Sequence, residues 1–189
     1  MSTHDDTRSP WQLRASREVY ANPWIRVEED QVVKPNGEPG IYGRVCFRNL
    51  AVGVIPVDDD GHTWLVGQWR YPLQRYSWEI PMGGVPLAAD VEAGALRELA
   101  EETGLVAKRL TRLIEVDISN CITDERGVVF IAQDLTQGPA SPDDTEVLQL
   151  RRVPVTEAIA MAGDGRITDG LSVIGLLALA RRGAAGQGE

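Results

Sequence analysis

From Gly83 to Leu105 the chain reads GGVPLAADVEAGALRELAEETGL. Asp90 offers a carboxylate to the unpaired N–H groups that open a helix, and Gly104 supplies the left-handed residue that ends one. The spacing therefore predicts a helix from Asp90 to about Thr103. On a helical wheel Ala95, Leu96, Leu99 and Ala100 share one arc, and Glu98, Glu101 and Glu102 share the other. Residues three and four apart are neighbours, about 5–6 Å between Cβ atoms, so Glu98 faces both Glu101 and Glu102. Three carboxylates on one patch are hard oxygen donors suited to Mg²⁺, which takes one or two carboxylates with waters and substrate phosphates. A solvated acidic face is the plainer reading: like charges at this spacing cost only about 0.2–0.5 kcal/mol per pair, too little to demand a metal. Gly94 lies one turn before Glu98 and costs about 1 kcal/mol relative to alanine inside a helix. It either opens room for an approaching group or permits tight helix packing. On residue types and spacing alone, the segment is a candidate divalent-cation site.

On either side of this helix the pattern alternates. Trp11 to about Arg48 carries short apolar runs, Ile25–Val27, Val32-Val33 and Val45–Phe47, broken by Asn36-Gly37 and Pro39-Gly40. These breaks are hairpin signals and predict an antiparallel β arm. Residues 52–57 form a near-continuous apolar run suited to a central strand, Asp58-Asp59-Asp60-Gly61 predicts a hairpin turn, and Trp64–Trp69 returns the chain. Further strands are expected near Leu110–Val116 and Val128–Ala132, and helices over Thr156–Ala162 and Leu171–Arg181. Strands alternating with helices predict an α/β or mixed layered fold. The expected organisation is a polar tail and β arm over 1–48, a main domain over 49–182 and a short tail over 183–189.

Composition narrows the function. The chain has 189 residues and a net charge of −9, with hydrophobic content of 43% and charged content of 25%, as in a globular protein. That balance argues against nucleic-acid partners, which need a basic footprint. It leaves room for a small anion, because a bound cation or a few arginines reverse the field in a cleft. The polar start lacks a signal-peptide pattern, and the longest apolar stretch is roughly half of what a spanning helix needs, so a soluble cytoplasmic protein without membrane contact is expected. Cys46 and Cys121 are isolated and read as buried thiols in a reducing cytosol. His4 and His62 are the only histidines, which leaves little material for histidine-based chemistry. No GxxxxGK[ST] loop is present, and Gly163-Asp164-Gly165 follows a helix, unlike a dinucleotide fingerprint. Carboxylates remain as the chemical groups. Asp58–Asp60 read as a turn. Trp24, Trp69, Tyr71 and Trp78 read either as stacking rings for a base or as core, and Arg48 as a phosphate donor or a surface ion pair.

The stretch from Gly83 to Leu105 resembles the Nudix box, G-x5-E-x7-R-E-U-x-E-E-x-G-U with U a bulky aliphatic. Gly83, Arg97, Glu98, Leu99, Glu101, Glu102, Gly104 and Leu105 match at the required spacing. Ala89 departs, standing where the pattern has a glutamate that supports the loop and the box arginine. Gly67-Gln68-Trp69-Arg70-Tyr71-Pro72, Trp78-Glu79-Ile80-Pro81 with the glycine pair, and Ser119-Asn120 with Thr123-Asp124-Glu125 resemble the ADP-ribose and nucleoside-diphosphate-sugar branch. The resemblance implies a Nudix fold, a mixed β-sheet between helices with an N-terminal antiparallel β arm, and a homodimer built through that arm. It implies Mg²⁺, with Mn²⁺ as an alternative ion.

Carried over residue by residue, the resemblance implies that Glu98 and Glu102 are the main metal ligands, with Glu101 beside them and the backbone carbonyl of Met82 joining the shell. Glu98 thereby counts among the catalytic groups. Arg70 and Glu79 fall near the bound nucleotide or its diphosphate, Arg48 and Trp24 are further substrate-binding candidates, and Gly83, Arg97 and Gly104 are structural positions of the box. The catalytic base comes from a later acidic loop, here Pro142–Glu146: Glu146 is the first choice and Asp144 the second, beside the plainer reading of a solvated turn. Asp124 and Glu125 are candidates for placing metal-bound water. The implied reaction is hydrolysis of a nucleoside diphosphate sugar to a nucleoside monophosphate and a sugar phosphate. Its rivals are nucleoside-triphosphate or dinucleotide hydrolysis, and a non-catalytic nucleotide-sugar sensor.

Overall fold

The structure, a computed structural model, describes residues 8–139 and 147–185. The chain divides into two compact units, Met1–Arg48 with Ser119–Glu125, and Asn49–Ile118 with Arg126–Glu189.

The first unit is an antiparallel meander of β1 (Gln12–Ala21), β2 (Ile25–Val33) and β3 (Pro39–Phe47) in that order. One break in the apolar pattern turns the chain and the other does not. Gly37 takes a φ of +87° and its N–H reaches the Lys34 carbonyl at 2.9 Å, closing the β2–β3 turn. Pro39-Gly40 instead opens β3, which suits proline at the first residue of a strand. Ion pairs cross one face of the sheet, where Arg44 of β3 meets both Glu28 and Asp30 of β2. Every residue of β1 is exposed. Ser119–Glu125 runs along β3: the Val45 N–H donates to the Ile122 carbonyl at 2.9 Å and the Phe47 N–H to Asp124 Oδ1 at 2.7 Å. Cys46 is buried, but Cys121 is exposed, against expectation. It lies in the turn that presents its carbonyl to the Tyr42 hydroxyl, where no core forms around the thiol.

The second unit holds a mixed sheet of order β7-β4-β9-β8 and an antiparallel sheet of order β10-β5-β6. The strands are β4 (Asn49–Pro56), β5 (His62–Arg70), β6 (Arg75–Glu79), β7 (Met82–Pro86), β8 (Leu105–Asp117), β9 (Arg126–Gln137) and β10 (Gln149–Pro154). The helices are α1 (Val91–Thr103), α2 (Val155–Gly163) and α3 (Gly170–Ala185). β4 pairs antiparallel with β7 and parallel with β9, so it is central, and both of its faces are covered. Val52 and Val54 join Leu99 and Phe130 under α1, while Ile55 joins Val129, Leu171 and Leu176 under α3. Cover on both faces is why β4 reads as an apolar run without alternation.

Against the expectation of a hairpin, the Asp58–Gly61 turn closes no β4–β5 ladder. β4 and β5 part into different sheets, because β5 finds its partners in β6 and β10. β8 and β9 extend well past the expected segments. Among the described residues no helix is long and apolar enough to cross a membrane.

Candidate active site

Helix α1 carries the acidic patch. Asp90 accepts from the N–H groups of Glu92 at 2.9 Å and Ala93 at 3.1 Å, and Gly104, at φ +73°, closes the other end on the Ala100 carbonyl. Ala89 lacks the side chain the box pattern supplies. Its N–H donates to the Pro86 carbonyl at 2.8 Å, one residue before the Asp90 cap.

The buried stripe of α1 contains Gly94, Ala95, Leu99, Glu102 and Thr103. Glu102 therefore belongs to the inward face, a correction to the wheel reading. It stands three residues after Leu99 and seven after Ala95, so the helical repeat turns it toward the sheet. Only 3% of it is exposed, and its Oε2 accepts the Met82 N–H at 3.0 Å. Gly94 is explained by packing: a Cβ there would overlap the methyl groups of Val85 on β7. The contact at Gly83, a position of the box, is more telling, since a Cβ there would overlap the carboxylate of Glu98. The missing side chain is what lets that carboxylate lie against the β7 backbone.

Arg97 spans the outer carboxylates, with Nη2 2.6 Å from Glu98 Oε1 and Nη1 2.6 Å from Glu101 Oε2. Burial pulls the arginine's pKa down, and the two glutamates outweigh it, leaving the group above its ordinary value. Glu98 and Glu101 side chains are 13% and 39% exposed. Among the described residues, no three His, Cys, Asp or Glu side chains converge closely enough to hold an ion. The donor chemistry nevertheless fits a hard divalent cation: carboxylate oxygens at three positions of one helix, one of them buried, beside a cradle a Cβ would fill.

β6 and β7 lie in different sheets, and the connector Glu79–Met82 passes between them. Glu79 is 2% exposed and receives Arg70 from the adjacent strand, Nε to Oε1 at 3.0 Å and Nη2 to Oε2. These hydrogen bonds, opposed by burial and aided by the charges of Glu79, Asp169 and Glu102, hold the Arg70 guanidinium above its ordinary pKa. Arg70, Glu79, Met82 and Glu102 thus form one linked group. Asp169 and Ser172, at the start of α3, join it without having been foreseen. The Ile80 N–H donates to Ser172 Oγ at 3.0 Å, and Ser172 Oγ donates to Asp169 Oδ2 at 2.8 Å. An aspartate just ahead of an apolar run is a helix-start signal, but it does not say what the cap holds.

Trp24 and Arg48 lie in the first unit and meet each other. The Arg48 N–H donates to the Trp24 carbonyl at 2.9 Å, Arg48 Nε donates to the Asn22 carbonyl at 3.0 Å, and Trp24 is 65% exposed. Trp69 and Tyr71 are exposed, whereas Trp78 is covered by Tyr76 and by Arg151, whose Cζ lies 4.2 Å from the ring centroid. Asp144 and Glu146 lie outside the described residues.

The NUDIX domain matches residues 47–170, and the nucleoside diphosphate sugar hydrolase N-terminal domain matches residues 11–45. The chain is 31% identical over 157 residues to an ADP-ribose pyrophosphatase of Bacillus subtilis (strain 168), covering 82% of this chain and 84% of that one. It is 28% identical over 183 residues to an ADP-ribose pyrophosphatase of Mycobacterium tuberculosis (strain ATCC 25618 / H37Rv), covering 95% and 85%. A crystal structure of an ADP compounds hydrolase superposes with a TM-score of 0.82 at 24% identity, over 94% of this chain and 96% of that chain, a likeness of fold. With the domain match spanning well over half of its length, the chain belongs to the Nudix family and is a Nudix pyrophosphohydrolase.

Proposed function

We propose that this enzyme hydrolyses the diphosphate linkage of a nucleoside diphosphate sugar, with ADP-ribose the first substrate to test, to a nucleoside monophosphate and a sugar phosphate. The observation that carries the reading is the tie between the acidic helix and the Arg70–Glu79 pair through Met82. That link supports reading the carboxylates as donors to a cation and the guanidinium as a donor to a phosphate. The match of the N-terminal strands to a nucleoside diphosphate sugar hydrolase domain supports the substrate class.

Glu98, Glu101 and Glu102, with the Met82 carbonyl, would hold Mg²⁺ or Mn²⁺. Bound there, the ion would supply Lewis-acid stabilisation of charge on the phosphate oxygens. Glu79 engages Nε and one terminal nitrogen of Arg70, so the other terminal nitrogen serves a phosphate oxygen. Water attacks one phosphorus, the anhydride P–O bond breaks, and the proton from water passes to a carboxylate, for which Glu146 comes first and Asp144 second. Phosphoryl transfer asks the protein mainly for positioning and electrostatics. The working form is a homodimer, in the cytoplasm; the dimer is supported by β1, whose residues are all exposed, Leu13, Val19 and Tyr20 among them.

The test is a panel of ADP-ribose, GDP-mannose, nucleoside triphosphates and dinucleotides, assayed for released monophosphate with and without Mg²⁺. Cation-dependent release from the sugars, lost in Glu102→Gln, is expected. Preference for triphosphates or dinucleotides, or binding without cleavage throughout, would overturn the reading.

A further inference from the structure

We propose that Asp169 and Ser172 are positioning residues for the catalytic group: the Ser172 hydroxyl sets the Glu79–Met82 connector and thereby the placement of both Arg70 and Glu102. The inference rests on the hydrolase reading above and concerns residues of α3 that the reading does not use.

Each residue of the connector is held by at least one polar tie. The Glu79 carboxylate takes Arg70, the Ile80 N–H goes to Ser172 Oγ, the Pro81 carbonyl accepts the Val54 N–H at 2.8 Å, and the Met82 N–H goes to Glu102. Pro81 has no N–H to offer. Because the connector passes between two sheets, Ile80 has no ladder partner, and its tie runs to a helix instead. Ser172 is fully buried, so water does not stand in for its hydroxyl.

The direction of the hydroxyl is determined. An amide only donates and an ionised carboxylate only accepts, so Ser172 must accept from Ile80 and donate to Asp169. Asp169 Oδ2 also accepts the Ser172 N–H at 2.8 Å, which pins the serine backbone as well. The Ile80 side chain is locked in turn: a Cβ on Gly53 would press on its Cδ1 at 2.8 Å. Anchored at its middle by that hydroxyl, the connector carries Glu79 one residue before Ile80 and the Met82 N–H two residues after it. Loss of the tie removes the anchor midway between them, and so loosens the arginine and the buried glutamate together. Leu176, on the same helix, is buried in the core with Ile55 and Val129.

The experiment measures Mn²⁺ binding to the full-length protein by calorimetry without substrate, kcat and KM on ADP-ribose, and the thermal midpoint. The variants are Ser172→Ala, Asp169→Ala, Asp169→Asn and, as a core control on the same helix, Leu176→Ala. Outer-shell residues of metal sites typically account for about 10–100-fold in affinity or activity. Ser172→Ala is expected to weaken Mn²⁺ binding about 10-fold and to lower kcat by a similar factor with KM little changed. Asp169→Ala, at a half-buried position, should show the same pattern and carries the comparison if the serine variant fails to fold. Asp169→Asn keeps an acceptor oxygen and should recover most of the loss. Leu176→Ala should lower the thermal midpoint with Mn²⁺ affinity intact. Wild-type affinity in Ser172→Ala and Asp169→Ala, or equal weakening in Leu176→Ala, overturns the proposal. A wild-type protein that binds Mn²⁺ but cleaves no nucleotide sugar overturns the hydrolase reading alone, and the Mn²⁺ affinities still judge the positioning role. Absence of Mn²⁺ binding overturns both.

Discussion

Gly83 and Glu98 show how much chemistry a missing side chain can carry. The Gly83 backbone is not in the left-handed region, so alanine there meets no backbone strain. The atom it would strike is the far end of a flexible glutamate. Gly83→Ala should therefore leave the thermal midpoint within a few degrees of wild type. A carboxylate pushed about 1 Å costs on the order of 10²-fold in turnover. A variant with full kcat would show that Glu98 need not lie against β7. The box positions are legible in sequence because their spacing is local. The burial of Glu102 is legible too, in its distance from Ala95 and Leu99. Asp169 and Ser172 were not legible as site residues. Their partner Ile80 is some 90 positions away in sequence (the Ile80–Ser172 bond spans 92), and a capping pattern carries no information about what it holds.

Among the elements, α1 was the most readable, since its cap and its stop are written beside it. Sheet membership was not: β5 leaves β4 because β10, far along the chain, completes its ladder, and no local pattern announces that pairing. The seat of α1 on β7 is tight at Gly94, where alanine's better helix propensity, about 1 kcal/mol, opposes an overpacking cost of about 1–3 kcal/mol. Gly94→Ala should lower stability by about 1 kcal/mol, and adding Val85→Ala should reverse the sign of the Gly94 effect by removing the methyls it strikes. Denaturant melts of the two singles and the double measure this. Additive losses would place the strain elsewhere.

At the β4–β5 turn, burial pushes the Asp58 carboxyl up, but the His62 N–H, the Arg152 guanidinium and the Asp60 N–H bring it below the usual carboxylate range. A depressed pKa favours the folded state above the unfolded value of about 3.9 and loses that contribution as pH falls through the folded value. The stability gap between wild type and Asp58→Asn should thus be flat well above pH ~4 and narrow below it. A gap unchanged through acid would refute the assignment.

For the whole molecule, a ten-residue strand exposed along its length, bearing Leu13, Val19 and Tyr20, is a surface proteins normally cover. Light scattering on the full chain should give the mass of a dimer, and replacing Leu13 and Tyr20 with Lys should shift it to a monomer. A monomeric wild-type mass would exclude assembly through the arm. The segment 119–125 carries another consequence. It leaves the second unit between β8 and β9 and lends its Ile122 carbonyl and Asp124 carboxylate to β3. The two units are therefore interleaved along the gene, one interrupting the other. A fragment starting at codon 49 strips that segment of its strand, and a fragment ending at codon 48 lacks the chain that borders β3. Cutting the chain between residues 48 and 49 thus divides the first unit between two fragments and leaves all of the second on one of them.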